Sequence, residues 1–144
     1  MGQHMSNQEH LVVNSHLEVI NQVQCWFKSV CMSRDAETAW AKAYADRLVI
    51  ALTEGLTNAV RHAHAELPTD TKINIVLSFG CDRIEIRILD YGQPFNPEDI
   101  EEPKPGELRE SGYGWFLLKR LADKVTYQRL QDGRNCLSIV QYEA

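Results

Sequence analysis

The sequence predicts an α+β protein: a two-layer α/β sandwich with helices on one face of a mixed, mostly antiparallel sheet. Three observations carry that expectation. Two long runs have apolar residues at helical spacing, two pairs of segments alternate as strands do, and each pair is joined by a short turn containing Gly and Asp. The 144 residues, 44% hydrophobic and 24% charged, suit one domain with one core.

The opening "MGQHM" has two methionines in five residues, so Met1 to His4 reads as a vector remnant ahead of a native start at Met5. Residues 1–8 are set aside as a tag or disordered terminus, and 9–144 as the domain. "EHLVVNS" reads as a short strand, and Ser15 to Glu18, "SHLE", as a capping box that opens a helix. Leu17, Ile20, Val23, Phe27 and Val30 continue that helix to "SRD", where Asp35 is placed to cap the next. The second helix carries Trp40, Tyr44, Leu48, Ala51, Leu52, Leu56, Ala59 and Ala63 and runs to about Glu66, before Pro68 stops it.

"TKINIVLSFG" and "DRIEIRILDY" read as an antiparallel hairpin turning at Gly80, Cys81 and Asp82. Residues 92–111 have no period and are rich in proline, glycine and acidic residues, so they read as one long loop of the kind that serves as a lid. A third helix starts at Gly112 with Phe116, Leu117, Leu118, Leu121 and Val125. "VTYQRLQDGRNCLSIVQYE" closes the chain as a second hairpin with Asp132 and Gly133 at its turn.

The formal charge of −5 and a pI near 5.5 argue against a nucleic-acid surface, which needs clustered Lys and Arg. No run of about 18 apolar residues and no signal peptide stand in the sequence, so a soluble, cytoplasmic protein is expected. Cys25, Cys31, Cys81 and Cys136 lack zinc spacing and read as reduced, mostly buried thiols. Trp26, Trp40 and Trp115 read as core or interface residues.

Chemistry enters with "ALTEGLTNAVRHAHAE", residues 51–66, where Glu54, Asn58 and His62 recur every four positions. An α-helix turns only about 40° over each such step, so the three form one polar stripe. The Asn58 amide oxygen suits a hard cation such as Mg²⁺, and Glu54, one turn earlier, suits proton abstraction from a hydroxyl or water. His62 lines the pocket edge below Asn58. His64 is a surface residue, about 200° around from His62, so the two cannot chelate one ion. Asp90 ends a strand and precedes Gly92. Its carboxylate can accept from an exocyclic amino group, or it can simply make an Asp-x-Gly turn. Gly112 and Gly114 bracket a helix start, where free amides favour a phosphate, although such a pair also occurs with no ligand.

Together, Glu54-x-x-x-Asn58-Ala59, Asp90-x-Gly92-x-Pro94-Phe95 and Ser111-Gly112-Tyr113-Gly114 resemble the three conserved boxes of the GHKL ATPases, named for gyrase, Hsp90, histidine kinases and MutL. "DYGQPF" and "SGYGWFLLKRLADKVTY" look most like the bacterial anti-sigma factor serine kinases, over roughly residues 9–143. That resemblance implies the Bergerat fold, with ATP and Mg²⁺ as cofactors and Glu54 as general base. Asn58 becomes the Mg²⁺ ligand and Asp90 the adenine contact. Gly92, Gly112, Tyr113 and Gly114 then surround the nucleotide, with His62 at the pocket edge. Residues 96–111 become the ATP lid, with Arg109 near the phosphates. In the family a Gly-Thr opens the last strand and its hydroxyl supports adenine. Here "DGRNCLSI" offers Asn135 or Cys136, and Asn135 is taken as the replacement. The acidic "EDIEE", residues 98–102, is expected to face solvent or a partner.

The resemblance implies a protein serine/threonine kinase that is also an anti-sigma factor, holding a sigma factor in one state and phosphorylating an anti-anti-sigma antagonist of the STAS type in another. It also implies a homodimer through residues 9–15 and the first helix, with no direct contact to nucleic acid or membrane. The alternatives are a partner-switch module that binds ATP but has lost transfer, and the catalytic domain of a histidine kinase. Retention of both Glu54 and Asn58 weighs against the first, and the lack of coiled-coil heptads in the first two helices against the second.

Overall fold

The computed structural model describes residues 7–33, 40–63, 66–94 and 113–143. The chain runs β1 (Asn7–Asn14), a 3₁₀ turn (Leu17–Val19), α1 (Ile20–Met32), α2 (Ala41–Asn58), a π-helical turn (Ala59–Ala63), β2 (Lys72–Phe79), β3 (Arg83–Asp90), α3 (Tyr113–Leu121), β4 (Lys124–Arg129) and β5 (Asn135–Tyr142). The five strands form one sheet in the order β1-β2-β3-β5-β4. The α+β sandwich is therefore present, with one refinement. All four pairings are antiparallel, where the sequence suggested some mixing. β4 does run parallel to β3, but the β4–β5 hairpin folds back and puts β5 between them.

Alternation decides which side of each strand is buried. Ile73, Ile75, Leu77 and Phe79 of β2, Ile84, Ile86 and Ile88 of β3, and Leu137 and Ile139 of β5 share one core with Val23, Phe27 and Val30 of α1, Leu48, Leu52 and Leu56 of α2, and Leu118 of α3. Each such large side chain, fully buried, contributes about 1.5–3 kcal/mol. The opposite face carries a smaller cluster of Val76, Leu89 and Cys136, with Leu130 packed on it.

Several local expectations change. Ser15 does not cap the first helix, because its backbone amide continues the sheet by donating to the Thr71 carbonyl at 2.8 Å and its side chain is buried. His16 takes the cap instead, its Nδ1 accepting from the Glu18 amide at 3.1 Å. α2 begins at Ala41 and ends as an α-helix at Asn58, where the backbone widens into the π turn rather than running on as α-helix to Glu66. β1 starts at Asn7, two residues before the boundary read from the sequence. Cys31 and Cys136 are buried, but Cys25 and Cys81 are exposed, so half of the thiols depart from expectation. Trp115 is a core residue, whereas Trp26 and Trp40 are half-buried at its edge, the Trp40 indole donating to the Cys81 carbonyl at 3.2 Å. On β1, Val13 is 4% exposed and belongs to the core, while Val12 is 54% exposed on the outer face. Asp35, His64, the 96–111 segment with Arg109, and Gly112 lie outside the described residues, as do the side chains of His62, Tyr113 and Gly114.

Candidate functional site

Asp90 is the last residue of β3 and Asn135 the first of β5, and the register sets them directly opposite each other. Both lie on the helix-facing side of the sheet and both are buried, at 3% and 0% exposure. Asn135 Nδ2 donates to Asp90 Oδ1 at 2.8 Å and to the Gly92 carbonyl at 2.8 Å, while the Gly92 amide donates to Asp90 Oδ1 at 3.0 Å. Asp90 therefore does make the ordinary Asp-x-Gly turn, and the same oxygen also receives a side chain from the neighbouring strand. Asn135 Oδ1 is buried and has no hydrogen-bond partner among the described residues.

The β4–β5 turn delivers Asn135 to this position. Gly133 adopts φ 89°, a left-handed conformation that glycine reaches without strain. The Leu130 amide bonds to the Arg134 carbonyl at 2.7 Å and the Gly133 amide to the Leu130 carbonyl at 3.1 Å, closing the turn. Asp132 accepts from the Arg134 amide at 3.0 Å and from its guanidinium Nε at 2.9 Å. The guanidinium holds the Asp132 carboxyl below the ordinary carboxylate range. One residue past Asn135, Cys136 points to the other face, where burial pushes its thiol up.

Glu54 and Asn58 stand one turn apart on α2 and are half-buried, so a ligand can reach them. The π turn starts at the next residue, and the stripe is described from Glu54 to Asn58, the His62 side chain lying outside the described residues. What ties this part of α2 to the Asp90–Asn135 pair is Gly55. A Cβ there would lie 2.8 Å from Ile88 Cδ1 and 2.8 Å from Leu137 Cδ2. Ile88 and Leu137 are each two residues from Asp90 and Asn135, about 7 Å at strand spacing. The absent side chain lets α2, the helix that bears Glu54 and Asn58, approach the sheet closely at Ile88 and Leu137.

Sequence reasoning missed Gly55, although a glycine inside an apolar helical period is a recognised sign of close packing. It also missed the Asp90–Asn135 bond, which becomes visible only once strand register is known. The structure thus brings Asp90, Gly92 and Asn135 into one hydrogen-bonded unit, with Glu54 and Asn58 on the helix above. Among the described residues, no cluster of three or more His, Cys, Asp or Glu is placed to hold a metal ion.

A family model for a histidine kinase-like ATPase domain matches residues 13–141. The chain belongs to that family. Curated relatives include a serine-protein kinase RsbW of Oceanobacillus iheyensis, 40% identical over 87 residues and covering 54% of each chain. Another, the serine-protein kinase RsbW of Staphylococcus epidermidis, is 33% identical over 101 residues, 65% of this chain and 62% of that one. The aligned region thus spans between half and two thirds of these relatives. Among solved structures, the RsbU and RsbW domains of a Mycobacterium tuberculosis protein match 94% of this chain and 32% of that one, with a TM-score of 0.62 at 14% identity, a likeness of fold.

The residues present fit an adenine nucleotide. A buried carboxylate beside an unpaired carbonyl oxygen suits an exocyclic amino group, which brings two N–H donors. For Mg²⁺ the fit is coarser. Asn58 offers one neutral oxygen, which suits an ion that takes most of its ligands from phosphates and water. No helix among the described residues is long and apolar enough to cross a membrane.

Proposed function

We propose that this protein is an ATP-dependent serine/threonine kinase and anti-sigma factor of a cytoplasmic partner-switching system, which phosphorylates an anti-anti-sigma antagonist of the STAS type and in its other state holds a sigma factor. The observation that carries the reading is the buried Asp90–Gly92–Asn135 unit beneath the helix that bears Glu54 and Asn58. The serine-kinase names of the curated relatives support it.

Bound MgATP supplies the γ-phosphoryl group. Asp90 accepts from the base and orients it, and Asn58 gives its amide oxygen to the cation. The start of α3 at Tyr113 and Gly114, with Gly112 just before it, would offer backbone amides to the phosphates, where a helix start favours negative charge. Arg109 adds a cation there. Glu54 would take the proton of the acceptor hydroxyl as its oxygen bonds to the γ-phosphorus in line with the breaking bond to the β,γ-bridging oxygen, so that ADP leaves and the phosphate stays on the acceptor. A phosphate on the antagonist then weakens its complex by charge and desolvation.

The same reading includes a homodimer through the N-terminal region. β1 is an edge strand, and Val12 stands out from it into solvent.

The test is incubation with labelled ATP, Mg²⁺ and a STAS-type antagonist from the same genome, with phosphoserine or phosphothreonine as the readout. Glu54→Gln is expected to keep nucleotide affinity within a few fold and lower transfer roughly 10²-fold or more. Equal transfer by the variant removes Glu54 from the mechanism. Tight ATP binding with no transfer by the wild-type protein leaves a binding module.

A further inference from the structure

One hydroxyl joins the first two helices beside Glu54. Thr53, in the interior of α2, donates from Oγ1 to the Val49 carbonyl at 2.7 Å and accepts from Gln24 Nε2 of α1 at 3.0 Å. The first bond fixes the direction of the second. The single hydroxyl proton is spent on Val49, so Thr53 can only accept from α1 and Gln24 must present its amide nitrogen. Both side chains are half-buried. Successive residues of an α-helix step about 100° around its axis, so Thr53 and Gly55 stand to either side of Glu54. Thr53 is tied to α1, and Gly55 lies against Ile88 and Leu137 of the sheet. Leu48, Leu52 and Leu56 hold one face of α2 toward the core. The hydrogen bond, which weakens steeply with misalignment, fixes the last degrees of rotation about the axis.

We infer that Gln24 is a positioning residue for Glu54: through the Thr53 hydroxyl it holds α2 at the rotation from which the Glu54 carboxylate meets the acceptor hydroxyl. The inference rests on the reading of Glu54 as general base and deepens it. A rotation of about 5° carries a side-chain end lying about 5–6 Å from the axis through roughly 0.5 Å. A displacement of about 1 Å can cost about 10²-fold in rate, so half of it costs about tenfold. Asp90, Gly92 and Asn135, which the same reading gives to the base of the nucleotide, belong to β3, β5 and the turn after β3. A small rotation of α2 leaves them in place, so the loss falls on transfer and spares nucleotide binding.

The test is single-turnover transfer from labelled MgATP to a STAS-type antagonist, with the MgATP dissociation constant and the folded fraction measured on the same preparations. Gln24→Met and Thr53→Val remove the amide donor and the hydroxyl at similar volume. Each is expected to slow transfer about tenfold while MgATP affinity stays within about threefold of wild type. The double variant should be no more than about threefold slower than the slower single variant, because both changes break the same bond. Thr53→Ser keeps the hydroxyl and should restore transfer to within about threefold of wild type. Transfer by Gln24→Met at the wild-type rate, or a double loss equal to the product of the two single losses, overturns the inference. So does a slowing matched by an equal loss of MgATP affinity or of folded protein, which marks a merely structural contact. If Thr53→Val does not fold, Gln24→Met and Thr53→Ser carry the same comparison. If the wild-type protein transfers no phosphate, the kinase reading fails and this inference with it. If it transfers and Gln24→Met transfers equally well, the kinase reading stands and this inference alone falls.

Discussion

Replacing Gly55 with alanine sets two effects against each other. Alanine is the better helix former by about 1 kcal/mol in a helix interior. The new Cβ, however, would lie 2.8 Å from Ile88 Cδ1 and from Leu137 Cδ2, where carbon atoms normally rest at about 3.5–4.0 Å. Each methyl must withdraw by roughly 1 Å, and neither has space to do so freely, because Ile88 and Leu137 are themselves buried in the core. Overpacking of this kind costs about 1–3 kcal/mol, so packing should outweigh propensity and leave Gly55→Ala less stable by up to about 2 kcal/mol. Urea unfolding measures the difference. A double-mutant cycle isolates its cause, since Ile88→Val deletes the methyl that the new Cβ meets and alone costs about 0.5–1.5 kcal/mol. Together the two changes should cost less than their sum by about 1 kcal/mol, because one removes the obstacle to the other. Additivity within about 0.5 kcal/mol, or a Gly55→Ala protein stabilised by its full helix propensity, would refute the close approach of α2 to the sheet.

Val13→Lys is expected to unfold the domain, because it places a charge in the core, while Val12→Lys on the adjacent outer position should stay within about 0.5 kcal/mol of wild type. If the dimer uses β1, light scattering on the folded Val12→Lys protein should show monomers where wild type shows dimers. Alkylation of the native protein should modify Cys25 and Cys81 quickly and Cys31 and Cys136 only on unfolding, with burial also holding the Cys136 thiol in its unreactive protonated form. Four equal labelling rates, read by mass spectrometry, would contradict that. Asp90→Asn should weaken ATP more than inorganic triphosphate, and equal losses in calorimetry would reduce Asp90 to a turn former.

The hairpins were legible because β2 and β3 alternate over most of their length, Val76 and Leu89 being the apolar exceptions on the opposite face, and because the Asp132–Gly133 turn is encoded in two residues. The three helices were legible from their buried stripes, such as Val23, Phe27 and Val30 on α1. What escaped depends on partners distant in the chain. Ser15 looks like a cap until the Thr71 carbonyl takes its amide. The π turn after Asn58 follows an ordinary apolar period, so nothing in the spacing of Ala59 and Ala63 separates it from α-helix. Val12 and Val13 are chemically alike, and only the pairing of β1 with β2 decides which one is buried. At the site, the types and spacing of Glu54, Asn58 and Asp90 could be read directly. The commitment of Asn135 to Asp90 could not, because it is a statement about two strands meeting.

Asp90 and Asn135 are 45 positions apart in sequence, yet they are immediate neighbours across the sheet. The chain between them leaves the sheet after β3, returns to it as the edge strand β4 and then turns into β5, so their pairing closes a long loop. The entropy of closing such a loop rises by only about 0.6 kcal/mol for each doubling of its length. The Asp90–Asn135 unit is anchored at the two ends of the excursion and not by its contour. Adding or removing residues between β3 and α3 is therefore expected to leave the Asp90–Asn135 hydrogen bond intact, which amide exchange at β3 and β5 would check. A change of length there costs little against the pairing of β3 with β5, which holds Asp90 and Asn135 together from the two ends.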